Sequence, residues 1–262
     1  MRMKLLLTLM ALLLLNSLPT LAQRTPNLTG IAYEQKHGAR LPSKSAFIDA
    51  DGGGVGIGEL FNHAPLIFIF GYFHCEKLCG AARLTLLRAA QKAGLSAGAD
   101  YLFVAVSIDA AENADAARKA RDADFAAVAP KGTPDGFHYL TGKPDDIRAL
   151  AESVGYRYRD GAQPQTFIHP IGAVVVTPGG VVSGYLSAIG SSPGEISEAI
   201  AAAATGNVPT RASPALLLCF DFDSTTGRYT LAIIKVVRLA AIIMALALAA
   251  MIYREFRTGA RA

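Results

Sequence analysis

The hydrophobic positions of the chain fall into two kinds of pattern. Leu66–Phe70 (LIFIF) and Leu102–Ile108 (LFVAVSI) are short, almost wholly apolar runs, as expected of strands buried on both faces of a sheet. Between them, Leu84, Leu86 and Leu87 recur among Ala, Arg and Gln with helical spacing over Gly80–Ala93. Strand, helix, strand is a βαβ unit, whose crossover is expected to be right-handed. Farther along, Pro144 with Asp145 and Asp146 opens a helix expected to run to Val154, just before Gly155. Ser192-Pro193-Gly194-Glu195 reads as a capping box for a last helix ending near Ala204. Between these two helices, Ala173–Val176 and Val181–Leu186 flank Thr177-Pro178-Gly179-Gly180, a hairpin signature. Another hairpin is expected around Asp51-Gly52, and residues 113–137 read as a helical insertion with a loop.

This order, a βαβ unit followed by helix, hairpin and helix, is that of a thioredoxin-like α/β sandwich. It predicts a single folded domain over residues 40–205, followed by a linker at 206–230.

Two further apolar segments have a different character. A basic start (Arg2, Lys4) precedes Leu5–Leu15, which only Thr8 interrupts, and small residues stand at Thr20 and Ala22. These are the parts of a secretory signal peptide, expected to occupy residues 1–22. Leu231–Tyr253 is long enough to cross a bilayer, and Arg254, Arg257 and Arg261 follow it at once. The expected product is an exported domain, tethered by a transmembrane helix at 231–253 with a cytoplasmic tail at 254–262. Its soluble part would face the periplasmic side of the inner membrane.

Composition agrees with this division. Hydrophobic residues make up 52% of the 262-residue chain and charged residues 18%, which excludes a disordered protein. The net charge is +4, but residues 1–24 carry three cations and no acid, while residues 228–262 carry six cations against Glu255. The ends therefore hold +8, leaving −4 on residues 25–227. A mildly acidic domain is a poor phosphate-binding surface, so nucleic acid is excluded as a partner.

The chemistry concentrates at Cys75 and Cys79, between the first buried strand and its crossover helix. A thiol at a helix start has a lowered pKa and a larger thiolate fraction. Four residues along a helix return to the same face, so the two sulfurs can close a disulfide or share one ion. A static disulfide is the plain alternative, but a bridge closing so short a loop restrains little of the unfolded chain. Zinc in structural sites takes four ligands, and no second Cys or His pair is evident. Copper(I) accepts two thiolates with an imidazole. Of His37, His63, His74, His138 and His169, the last precedes the hairpin, whose leading loop packs beside the first helix's N-terminus in a thioredoxin-like fold. The candidate ligands are therefore Cys75, Cys79 and His169.

At these residues the chain resembles the Sco/SenC family of copper-binding, thioredoxin-fold proteins implicated in cytochrome c oxidase assembly. The resemblance rests on Phe-Gly-Tyr-x-His-Cys-x-x-x-Cys at 70–79, Val-Ser-Ile-Asp at 106–109, Leu-Thr-Gly at 140–142 and Phe-Ile-His-Pro at 167–170. The stretch at 218–229, with Cys219, is similar to a bacterial subgroup that ends in a membrane helix. The resemblance implies Cys75, Cys79 and His169 as copper ligands. As partners it implies the copper-binding subunit of the oxidase and other copper chaperones. It also aligns Asp109 with an acidic residue near the site, against a plainer reading as a turn cap. Glu76 and Gly80 stand where prolines are common in the family.

Two functions compete. A metallochaperone would pass copper to the oxidase by ligand exchange and needs all three ligands. A membrane-tethered thiol–disulfide oxidoreductase would use Cys75 as the attacking and Cys79 as the resolving thiol, and needs no His169. A peroxidase would require an Arg and a Thr beside Cys75, and the sequence shows no such set around it.

Overall fold

The computed structural model describes residues 31–61, 63–75, 79–161, 165–188 and 190–208, with isolated short pieces beyond them. The expected signal peptide at 1–22, the expected transmembrane segment at 231–253 apart from Met244, the expected tail at 254–262, Cys219 and most of the expected linker lie outside the described residues. Among those described, no helix is long and apolar enough to cross a membrane.

The architecture is a mixed α/β sandwich of the thioredoxin-like type. Its strands are β1 (Ala32–Tyr33), β2 (Ala46–Ile48), β3 (Gly54–Gly56), β4 (Leu66–Gly71), β5 (Leu102–Ser107), β6 (Phe137–Gly142), β7 (Tyr156–Arg157), β8 (Arg159–Asp160), β9 (Phe167–Ile168), β10 (Ala173–Val176) and β11 (Val182–Leu186). The helices are α1 (Cys79–Lys92), α2 (Ala114–Val128), α3 (Pro144–Ser153) and α4 (Pro193–Ala204). The central sheet has the order β11-β10-β4-β5-β6-β2-β3. β4, β5 and β6 run parallel, and β10 lies antiparallel to β4.

The apolar runs β4 and β5 are central because each feeds two cores. Leu66, Phe68 and Phe70 alternate with Ile67 and Ile69 across the sheet. The first set packs with Ile147 and Leu150 of α3, the second with Leu86 and Leu87 of α1 and Ile196 and Ile200 of α4. Burial on both faces removes the polar alternation that would otherwise mark these strands.

The hairpin around Asp51-Gly52 forms as β2 and β3, and the capping box of α4 is complete, with Ser192 accepting from the Glu195 N–H and Glu195 from the Ser192 N–H. Asn113 caps α2 by accepting from the Ala116 N–H. The sequence reading missed β6, which pairs with β5 and makes a second βαβ unit around α2. Its residues, FHYLTG, mix His and Thr with aromatics. His138 is spent on a hydrogen bond to Asp49, Nδ1 to Oδ2 at 2.7 Å, and the Thr141 hydroxyl donates to the Ile48 carbonyl.

Candidate metal centre

Strand register assembles the site. β4 ends at Gly71, whose parallel neighbour on β5 is Ser107. The loops leaving the two strands, Tyr72–Cys75 and Ile108–Asn113, therefore start side by side. β10 runs the other way, with Ala173 opposite Ile69, so the segment before β10 arrives where β4 leaves. That segment carries His169, Pro170, Ile171 and Gly172. Sequence separation is thus cancelled by an antiparallel neighbour.

His169 lies among aromatic rings. Its imidazole is 5.9 Å from the Tyr72 ring and 6.2 Å from the Tyr156 ring, centroid to centroid. With Gly71, Phe73, Arg83, Ile171 and Gly172 it lines a small cleft beside the start of α1. Burial holds the imidazole below its ordinary pKa, and a 3.0 Å hydrogen bond to the Pro170 carbonyl offsets this only in part. A carbonyl can only accept, so Nδ1 carries the proton. The lone pair then belongs to Nε2, and the ring is neutral at neutral pH. Both are what metal ligation by imidazole requires.

Cys75 is half-buried on the loop after β4, and its N–H approaches the Tyr72 carbonyl at 3.4 Å. Cys79 is the first residue of α1, and its side chain lies outside the described residues. Among the described residues, no three His, Cys, Asp or Glu side chains gather as a metal site. The candidate trio includes the undescribed Cys79 side chain. The structure thus brings His169 against the loop that carries Cys75, through Tyr72.

Two groups the sequence reading passed over brace this loop. Glu112, its side chain 1% exposed, accepts from the N–H groups of Phe73 (2.8 Å) and His74 (2.7 Å), from the Ser107 hydroxyl (2.5 Å) and from His74 Nδ1 (2.6 Å). Arg83, on the first turns of α1, places its guanidinium 5.7 Å from the centre of the Phe73 ring. The same guanidinium is bound to Asp124 through Nε at 2.6 Å, and the Tyr139 hydroxyl donates to that carboxylate at 2.9 Å. Burial, with the Asp124 charge, raises the Tyr139 hydroxyl well above the ordinary phenol range, so it remains a donor. Arg83 was legible only as one of three cations on this helix, at i+4 from Cys79. Glu112 carried no signal in one dimension.

Asp109 takes the plainer of its two roles. Its Oδ1 accepts from the Ala111 N–H at 2.9 Å, capping the turn that leads toward α2. His74 is turned to Glu112, its ring Nδ1 bonded to Oε1 at 2.6 Å.

The SCO1/SenC family model matches residues 34–205, and the chain belongs to that family. Among solved structures, a putative electron transfer protein of Aquifex aeolicus superposes with a TM-score of 0.58 at 19% identity, over 67% of this chain and 98% of that one. ScoI of Arabidopsis thaliana, solved with copper bound, superposes with a TM-score of 0.51 at 18% identity, over 65% and 99%. At such identities the likeness speaks for the fold. No curated protein sequence matches the chain.

Proposed function

We propose that this chain is a copper metallochaperone: it takes copper as cargo on Cys75, Cys79 and His169 and delivers it to the copper centre of a cytochrome c oxidase during assembly. In this reading the domain is exported through a signal peptide and held at the periplasmic face of the inner membrane by a C-terminal helix. Confinement to the membrane of its target raises the effective concentration of both partners, so a weak, shallow complex suffices for transfer. Membership of a family associated with oxidase assembly supports the reading, as does a solved relative holding copper.

The observation that carries it is the neutral, partly buried imidazole of His169 packed on Tyr72, three residues before Cys75. A thiol–disulfide oxidoreductase has no use for a neutral imidazole with its lone pair on Nε2 at that place. Two thiolates and a neutral imidazole form a soft donor set, and they fit Cu(I).

The test is anaerobic Cu(I) titration of the full chain in detergent, as wild type and as Cys75→Ser, Cys79→Ser and His169→Ala. Wild type is expected to bind one copper, and each substitution to weaken binding at least tenfold. Dithiol exchange with a disulfide substrate should persist in His169→Ala. Unchanged copper affinity in His169→Ala would leave only the oxidoreductase reading.

A further inference from the structure

Glu112 is a carboxylate with almost no contact with water, placed where two consecutive backbone N–H groups point at it. Successive N–H groups turned to one side form a concave anion site, here filled by the protein's own side chain. Each carboxylate oxygen is used twice. Oε2 takes the Phe73 N–H and the Ser107 hydroxyl, and Oε1 takes the His74 N–H and its ring Nδ1. Ser107 in turn accepts the Asp109 N–H at 3.1 Å. One chain of hydrogen bonds thus runs from the end of β5 to the backbone N–H of His74, the residue immediately before Cys75. The residue after His74 is the candidate metal ligand.

We infer that Glu112 is the positioning residue of the thiol loop: it fixes the backbone on the N-terminal side of Cys75 so that this sulfur is held ready for copper. The inference rests on the reading of Cys75 as a ligand. A carboxylate is required because each of its oxygens faces a backbone N–H that can only donate. Glutamine in its place would set an amide N–H₂ against N–H or O–H, and aspartate is one methylene short. Partners that orient ligands from behind typically change metal affinity by about 10–100-fold when replaced.

Glu112→Gln and Ser107→Ala in the full chain test this, with three readouts: hydrogen exchange at the Phe73 and His74 amides, Cu(I) affinity, and the midpoint of the Cys75/Cys79 dithiol–disulfide couple. Expected for Glu112→Gln are loss of protection at both amides and a roughly tenfold weaker Cu(I) affinity. The dithiol–disulfide equilibrium should change about tenfold, or ~30 mV. Ser107→Ala, which removes one hydroxyl, should move all three in the same direction by less. Lost amide protection with affinity and midpoint both as in wild type would reduce Glu112 to a structural role and overturn the proposal, as would unchanged protection. If Glu112→Gln does not fold, Ser107→Ala decides by the same criteria. If wild type itself binds no copper, the chaperone reading falls, and the midpoint alone decides whether Glu112 positions the thiols.

Discussion

The imidazole of His169 stands edge-on to the Tyr72 ring, 5.9 Å away with 79° between the planes. Tyr72 also meets Phe167 edge-on at 5.4 Å, two residues before His169. The thiol loop and the segment before β10 are therefore joined through aromatic contacts, and the imidazole is shielded from water as a result. Shielding disfavours the imidazolium, so the ring takes up its second proton only at lower pH.

That shielding has a measurable cost in stability. An unfolded histidine titrates near pH ~6.5, whereas folded His169 does so lower. Between the two values the unfolded chain binds a proton that the fold refuses. Stability is therefore full above about pH 6.5 and is lost as pH falls through the folded value, beyond which it levels off. In metal-free protein, His169→Gln should flatten this part of the profile, read from urea midpoints between about pH 7.5 and 5. Identical slopes in both proteins would show that the ring is not desolvated.

The Arg83–Asp124 pair, with side chains 8% and 4% exposed, braces the other side of the loop. Removing one partner of a buried ion pair typically costs about 3–5 kcal/mol, whereas replacing both with apolar residues of similar size is close to neutral. Asp124→Ala is therefore expected to lose that much in chemical denaturation, and Arg83→Met with Asp124→Leu far less. Equal losses in the single and double variants would contradict this account of the pair.

Asp49 ties the β2–β3 turn to β6. Burial pushes its carboxyl up, but hydrogen bonds from His138 and from the Tyr139 and Ala50 N–H groups outweigh this and hold it below the ordinary value. With the folded pKa depressed, the contribution is present above the unfolded value near ~3.9 and is lost as pH falls through the folded one. Asp49→Ala should cost about 1–3 kcal/mol at pH 7, with the gap narrowing toward pH 3. A gap of the same size at both pH values would mean that the carboxylate's charge contributes nothing.

Much of this was legible in one dimension. Leu66–Phe70, Leu102–Ile108, the α1 spacing, the hairpin at Thr177–Gly180 and the capping box at Ser192 are local patterns, and local patterns follow from burial, helical period and turn chemistry. Cys75 and Cys79 were visible because both lie in one short stretch between a buried strand and its crossover helix, and His169 because it precedes a hairpin of recognisable order. What was hidden depended on register. β6 shows no strand signature because its polar residues are matched only by Asp49 and Ile48, far away in the chain. Glu112 looks like an ordinary acid before a helix cap until Gly71 and Ser107 are seen side by side. Sequence by itself determined which residues carry donor atoms and which segments must be buried. Only the tertiary structure decided which donors meet, because strand pairing sets contact between residues that share neither period nor proximity along the chain.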